Sequence, residues 1–375
     1  MKYHMPTAII FGPGVLSELG GTVQDRLRSS RPLLVTDRGV VKAGIAEKLI
    51  SLLPATPTFD EVEPNPRHKT VDRGGEIARE LKPDLIIGLG GGSVLDAAKA
   101  IALLATNPGR IEDYEGREKY KAAPLPVLAI PTTCGTGSEV TWVAVITHTG
   151  RQFKMSIKGP QMYPAVALVD PDLLMTLPPH LVASTGLDAL THAVEAYTVK
   201  PASVITDTLA LEALPLILRS LPKAYQDIKN NSEAREGLMM GSLLAGMAFG
   251  NSDVGAVHCL AESVGSLYDT PHGVANAVFL PHVMEFNLEA AEARYARIAS
   301  AAGIEAGSQR EAARRLIARI KELSRSLSIP SFQELNIPES DFRLIAEKSF
   351  ANNSNPSNPR EATAANYLDI LRRAH

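Results

Sequence analysis

The sequence predicts an α/β domain built on a parallel sheet, followed by an all-helical second domain. Three observations predict it. Up to about residue 131, short aliphatic or β-branched runs alternate with helical stretches, the rhythm of βαβ units. From about Pro178 the pattern changes to long stretches rich in Ala, Leu and Glu, which favour helix. Between those regimes stands a cluster of prolines, from Asp170-Pro171-Asp172 to Leu177-Pro178-Pro179, where donors are removed and the preceding residues leave the α region.

The elements follow in order. Leu33 to Thr36 reads as the first strong strand, Val40 to Leu53 and Val71 to Leu81 as helices, Leu85 to Leu89 as a strand, Val94 to Ala105 as a helix and Val127 to Pro131 as a strand. In the second half Leu187 to Val199, Ile205 to Ser220, Ala234 to Phe249 and Ser308 to Leu327 read as helices. The domains are expected at 1–178 and 179–375. Asn352 to Pro359 reads as a surface loop before a final amphipathic helix. A sheet edge is expected near the N-terminus, which makes a homodimer the expected assembly.

Composition narrows the function. With 38 basic and 41 acidic residues, a formal charge of −3, 45% hydrophobic and 21% charged residues, the chain has ordinary globular balance and no electrostatic pull towards nucleic acid. The two cysteines, Cys134 and Cys259, lie far apart and build neither a disulfide framework nor a thiolate knuckle, so a reducing cytoplasm is expected. No stretch reaches the roughly 18 apolar residues of a membrane span. The chain is expected to be neither exported nor inserted.

The run from Asp84 to Leu89 leads into Gly90, Gly91, Gly92 and Ser93, and at once into the helical Val94 to Ala102 with Asp96 and Lys99. Glycines let a backbone approach an anion, and the N–H groups of the next helix hold it, so a diphosphate suits this turn. GxGxxG is not met cleanly, because Ser93 stands where the third glycine is expected, and a strand-to-helix turn without ligand fits the same residues. A polar loop after the strand ending at Pro131, with Thr132, Thr133, Thr136, Ser138, Glu139 and Thr141, sits where open α/β sheets bind ligands. Asp37, just past the first strand, suits ribose hydroxyls and repels a 2′-phosphate, which favours NAD over NADP; Arg38 beside it softens that discrimination. A turn or cap role for Asp37 stays open.

Asp188 and His192 are four apart, hence on one face of a helix; His258 sits on another helix, and Thr270-Pro271-His272-Gly273 opens the next. One carboxylate and three imidazoles suit a divalent cation such as Fe(II) or Zn(II), with a position left for substrate. Alone, Asp188 and His192 equally suit a helix hydrogen bond. His4, His68, His148, His180, His282 and His375 read mostly as surface or loop residues.

Taken together these motifs resemble the iron-containing (group III) alcohol dehydrogenases, from Ile10-Phe11-Gly12-Pro13-Gly14 to Asn358-Pro359-Arg360. The resemblance rests on Gly90 to Ser93 with Asp96, on Pro131-Thr132-Thr133 through Glu139-Val140-Thr141, on Gly186 to Glu195 and on Pro271 to Asn276. It implies a dehydroquinate synthase-like plan, with a cofactor domain, a helical metal domain and a cleft between them. It implies Asp188, His192, His258 and His272 as ligands of Fe(II), or of Zn(II) or another divalent ion. It implies Asp37, Asn65, Gly90, Gly91, Gly92, Ser93, Asp96, Thr132, Thr133, Thr136 and Thr141 as cofactor positions, with Lys154 near the nicotinamide ribose.

The activity implied is hydride transfer between NAD(H) and a small alcohol or aldehyde, with NADP(H) left open. The metal is expected to act as a Lewis acid on the substrate oxygen. One position departs from many relatives, which carry a histidine where this chain has Glu262, one turn after His258. Glu262 is expected to shape substrate choice or relay a proton, or else to orient a ligating histidine. Polyol dehydrogenases of the glycerol type, hydroxy-acid oxidoreductases and a metal-dependent cyclase share the plan; the full Asp/His/His/His set argues against the polyol and cyclase types, which typically use three protein ligands. A nucleotide-binding protein without chemistry is disfavoured by the intact ligand set.

Overall fold

Six strands of the first half pair in parallel in a computed structural model, which describes residues 2–375. The strands of this half are β1 Ala8–Phe11, β2 Pro32–Val35, β3 Thr58–Phe59, β4 Leu85–Gly90, β5 Gly116–Arg117, β6 Val127–Pro131, β7 Val143–His148, β8 Phe153–Lys158 and β9 Val166–Val169. The main sheet runs β1-β9-β6-β4-β2-β3, with β1 at one edge. β4, β6 and β9 are buried at every residue, which is why they read as unbroken aliphatic runs. Their side chains alternate between two cores: Ile86 and Val127 pack with Ala97 and Ile101, whereas Ile87, Leu89 and Leu128 pack with Leu16 and Leu49.

The order places a change of direction at the centre. From β2 the chain moves outward to β3, then crosses back to β4 on the other side of β2. Such a reversal opens a crevice at the carboxyl ends of the two strands, the usual ligand position in open α/β sheets. Here those ends are followed by Asp37 and by the glycine turn. Thr36 Oγ1 donates to the Leu89 carbonyl at 2.8 Å and ties the two ends together.

The helices of this unit are α1 Leu19–Gly21, α2 Arg38–Lys42, α3 Ile45–Leu52, α4 His68–Leu81 and α5 Gly92–Thr106. The single helix expected over Val40 to Leu53 is two, because Gly44 takes a left-handed conformation (φ +76°) that ends one turn and starts the next. A second sheet was not foreseen: β7 and β8 form an antiparallel hairpin, with β5 parallel to β8.

The chain divides into two units, residues 5–177 and residues 178–375 with the N-terminal residues to His4. The second unit is helical throughout: α6 Pro179–Thr198, α7 Val204–Asp227, α8 Ser232–Phe249, α9 Ala256–Tyr268, α10 His272–Ala301, α11 Gln309–Ser326, α12 Phe342–Phe350 and α13 Ala364–Ala374. α6 begins well before the expected Leu187, since a proline in the first turn loses no helical hydrogen bond. α7 runs through Pro215 and Pro222, held by buried Leu214, Ile217 and Leu221.

The segment Asn352 to Pro359 is not a surface loop throughout. Ser354 and Asn358 are buried, and Asn358 exchanges amide hydrogen bonds with Asn287 of α10 at 2.8 and 3.0 Å. Among the described residues, no helix is long and apolar enough to cross a membrane.

Candidate metal centre and cofactor loop

Asp188 and His192 project from one face of α6, His258 from the first turn of α9, and His272 is the first residue of α10. The structure brings all four together, with one ligand atom from each lying within 4.8 Å of the others. His192 Nε2 and His258 Nε2 are 3.0 Å apart, and Asp188 Oδ1 and His272 Nε2 are 3.7 Å apart. Donors bonded at about 2.0–2.1 Å to one four-coordinate ion stand about 3.3 Å from each other, so these spacings bracket a coordination sphere.

The hydrogen-bond inventory of the site points the same way. Asn276, fully buried one turn after His272, has its amide nitrogen 2.6 Å from Asp188 Oδ1 and 3.1 Å from both His258 Nε2 and His272 Nε2. Two hydrogens face three acceptors, and the buried amide oxygen of Asn276 receives no donor. With the imidazoles neutral, as metal ligands must be, the cluster turns acceptors towards one another, a setting that suits a cation. Burial alone raises the Asp188 carboxyl pKa. When protonated, His192, His272 and His258, with the bond from Asn276, outweigh it and hold the group below its ordinary value, hence anionic.

Packing sets these distances. The His192 ring stacks on Phe249 of α8, centroids 4.2 Å apart. A Cβ on Gly273 would lie 2.4 Å from the Ser184 carbonyl oxygen, so only glycine lets α10 start this close to α6 and place His272 beside Asp188.

Two carboxylates near the ligands differ in task. Glu195, buried on α6, accepts from Val257 N–H at 2.8 Å and lies 2.6 Å from His258 Nδ1. Glu262, half-buried on α9, accepts from the Asn352 amide at 2.6 Å. The carboxylate that touches a candidate ligand histidine is therefore Glu195, which the sequence shows only as part of a motif. Its signal was the spacing: three residues after His192 and seven after Asp188 keep it on their helix face.

In the α/β unit, β4 ends at Gly90, Gly91 caps α5 and Gly92 starts it. A Cβ on Gly92 would meet Thr136 Cγ2 at 2.3 Å, so the polar loop lies directly against the turn. Thr132 N–H donates to Gly90 O at 3.0 Å. Thr132 and Thr141 are buried, while Thr133 and Thr136 are partly exposed. Ser93 lies in the first turn of α5 and is likewise partly exposed. Asp37 caps α2, its Oδ1 accepting from Val40 N–H at 2.9 Å. Lys154 of β8 donates to Asn65 Oδ1 at 2.9 Å, which joins two positions 89 residues apart in sequence.

Asp96 is fully engaged by protein. Its oxygens accept from Ser138 Oγ at 2.6 Å and from Val145 N–H at 2.9 Å, with Lys99 Nζ at 3.3 Å. Lys99, which the sequence marks only as part of the helix after the glycine turn, is buried and donates to the carbonyls of Ser138 at 3.0 Å, Thr141 at 3.4 Å and Val143. Asp96 and Lys99, one turn apart on α5, thus clamp the loop. Burial lowers the Lys99 pKa, and burial pushes the neighbouring Glu139 carboxyl up to about 7.

A second His/Glu group, His68, Glu112 and His148, also clusters in this unit. His68 is buried rather than at the surface, because its ring stacks on His148 at 4.2 Å with planes only 9° apart. Parallel rings aim their in-plane lone pairs side by side rather than at one point, and His148 Nε2 is already 2.7 Å from Glu112. This group is a stacked, hydrogen-bonded joint between α4 and β7.

Two family models cover nearly the whole chain, one described as iron-containing alcohol dehydrogenase over residues 6–171 and one as the C-terminal part of the same family over 182–375. Alcohol dehydrogenase 4 of Saccharomyces cerevisiae is 38% identical over 100% of this chain and 98% of its own length. The NAD-dependent methanol dehydrogenase of Bacillus methanolicus is 37% identical over 100% and 99%. A crystal structure of a 1,3-propanediol oxidoreductase superposes with a TM-score of 0.96 at 40% identity, covering 100% of this chain and 99% of that one.

Gly273→Ala is expected to cost about 1–3 kcal/mol through the clash with the Ser184 backbone. It should weaken divalent-ion binding as well, read by thermal melting and by competition with a chelator. Glu139→Gln tests the buried carboxyl. A carboxyl whose folded pKa of about 7 exceeds the ordinary 4.5 leaves stability untouched below pH 4.5 and reduces it as pH rises towards 7. The variant should therefore match the parent near pH 4.5 and exceed it at pH 8, by an amount on the order of 3 kcal/mol at most, measured as denaturant midpoints at both pH values.

Proposed function

The chain belongs to the iron-containing alcohol dehydrogenase family, and on that premise we propose that it moves a hydride between NAD(H) and a small alcohol or aldehyde at a divalent ion held by Asp188, His192, His258 and His272. The observation that carries this reading is the convergence of one anionic and three imidazole donors within 4.8 Å. When bound, the ion supplies Lewis acidity that lowers the pKa of an alcohol and polarises a carbonyl. Iron suits this mixed N/O set, and so does zinc. Asp188 offsets part of the ion's charge, and the Phe249 ring packed on His192 covers that ligand on one side.

The nicotinamide supplies the hydride chemistry, and the protein's task is to hold it. The N–H groups at the start of α5, from Gly91 to Ser93, suit the diphosphate, as helix N-termini do. Thr132, Thr133, Thr136 and Thr141 line the loop that Asp96 and Lys99 clamp, so Asp96 serves the cofactor through that loop. The Lys154–Asn65 pair is assigned to the nicotinamide ribose. Asp37 gives one oxygen to its helix and leaves the other for ribose hydroxyls, which favours NAD over NADP. Glu262 is assigned to substrate choice rather than proton relay, because the amide of Asn352 that binds it carries no proton onward. The edge strand β1 suits pairing in a homodimer, and two buried thiols suit the reducing cytoplasm.

Chelator-treated protein should fail to oxidise NADH with propanal or butanal and should recover with one equivalent of Fe(II) or Zn(II) per chain by elemental analysis. Full turnover by stripped protein would overturn the reading. Asp37→Asn should raise kcat/KM with NADPH relative to NADH by about tenfold, equivalent to roughly 1.4 kcal/mol of relieved repulsion.

A further inference from the structure

Glu195 is a fully engaged carboxylate at 4% exposure, which costs stability unless its oxygens are matched by donors. Both are matched, and both donors belong to adjacent residues of α9: the Val257 backbone N–H at 2.8 Å on Oε1 and His258 Nδ1 at 2.6 Å on Oε2. A carboxylate only accepts, so Nδ1 of His258 carries a proton, and Nε2 is the nitrogen left to coordinate an ion. That Nε2 faces inward, 3.0 Å from His192 Nε2 and 3.1 Å from the Asn276 amide nitrogen. Because one oxygen grips the backbone next to the residue whose ring the other grips, the imidazole cannot turn without breaking a charge-assisted bond.

We propose that Glu195 is a positioning residue for the metal: its bond to His258 Nδ1 fixes that ring's tautomer and orientation, and so sets how tightly the chain retains a divalent ion. The inference rests on the reading above that His258 is a ligand. Glu262 does not share the role, since Asn352 engages it.

Glu195→Gln keeps the shape and removes the charge. If its carbonyl keeps the Val257 bond, its NH2 faces His258 Nδ1, which must then accept, moving the ring proton to Nε2 and into the ligand cluster. Nitrogen-15 NMR of the imidazoles in metal-free protein, with zinc retention against a competing chelator, reads both effects. The expected result is an Nε2-protonated His258 together with zinc held about 10–100-fold less tightly. Asn358→Ala removes the acceptor for Ala256 N–H at the same helix end without touching His258, and is expected to lower the melting temperature while holding zinc within about threefold of the parent. Should Glu195→Gln not fold, Glu195→Asp keeps the charge one methylene further away and is expected to retain the Nδ1 proton with a smaller loss of zinc. Zinc retention in the glutamine variant within threefold of the parent, an unmoved proton, an equal loss in Asn358→Ala, or unchanged retention in the aspartate variant overturns the proposal. A parent chain that binds no stoichiometric ion overturns the underlying reading instead.

Discussion

The helical unit is organised around one electrostatic constraint: a carboxylate and three imidazoles share a small volume, with Asp188, His192 and His258 buried and His272 partly exposed. Such a cluster is unfavourable in an apolar bundle unless every lone pair is matched. The surroundings do most of that matching. Glu195 takes the outward proton of His258, Asn276 gives its amide hydrogens to the inner acceptors, and Phe249 covers the ring of His192. With neutral imidazoles and an anionic carboxylate facing one another, electron density is concentrated inward, and that suits a cation.

The α/β unit meets the opposite problem with the same means. Its glycine turn has a polar loop packed directly against it. The loop is held by a buried ammonium, Lys99, shared among its carbonyls and partnered by Asp96. A buried lysine is tolerated because its donors are all used; at Glu139 beside it burial outweighs a backbone hydrogen bond and the Lys99 charge and moves its titration up to about 7.

Much of this was legible from residue order, and the remainder was hidden for a physical reason. Local periodicity carries α5, α8 and the unbroken aliphatic strands, and the i, i+4 spacing puts Asp188 and His192 on one face. Glycines at strand ends mark close approach. The gathering of His258 and His272 from two other helices depends on helix packing, which no local pattern encodes; it could be guessed only from the residue types and the resemblance. The same holds for Lys154 with Asn65 and for His68 stacked on His148, each pairing residues about 80–90 positions apart. The helix expected over Val40 to Leu53 breaks because one left-handed glycine outweighs the periodicity around it.

Motif membership and chemical contact also part company, and counting used valences separates them. Asp37 spends one oxygen on its own helix, so a ligand can still take the other. Asp96 spends one bond of each oxygen on Ser138 and Val145 and has Lys99 alongside, so its visible contacts hold the loop. Glu195 is equally saturated, yet one of its partners is His258, the ring proposed as a ligand, and through that ring it would act on a bound metal. A saturated buried carboxylate is thus either scaffold or tuning element according to what its partner does next. In this protein the two cases stand side by side, Asp96 holding a loop and Glu195 holding a ligand.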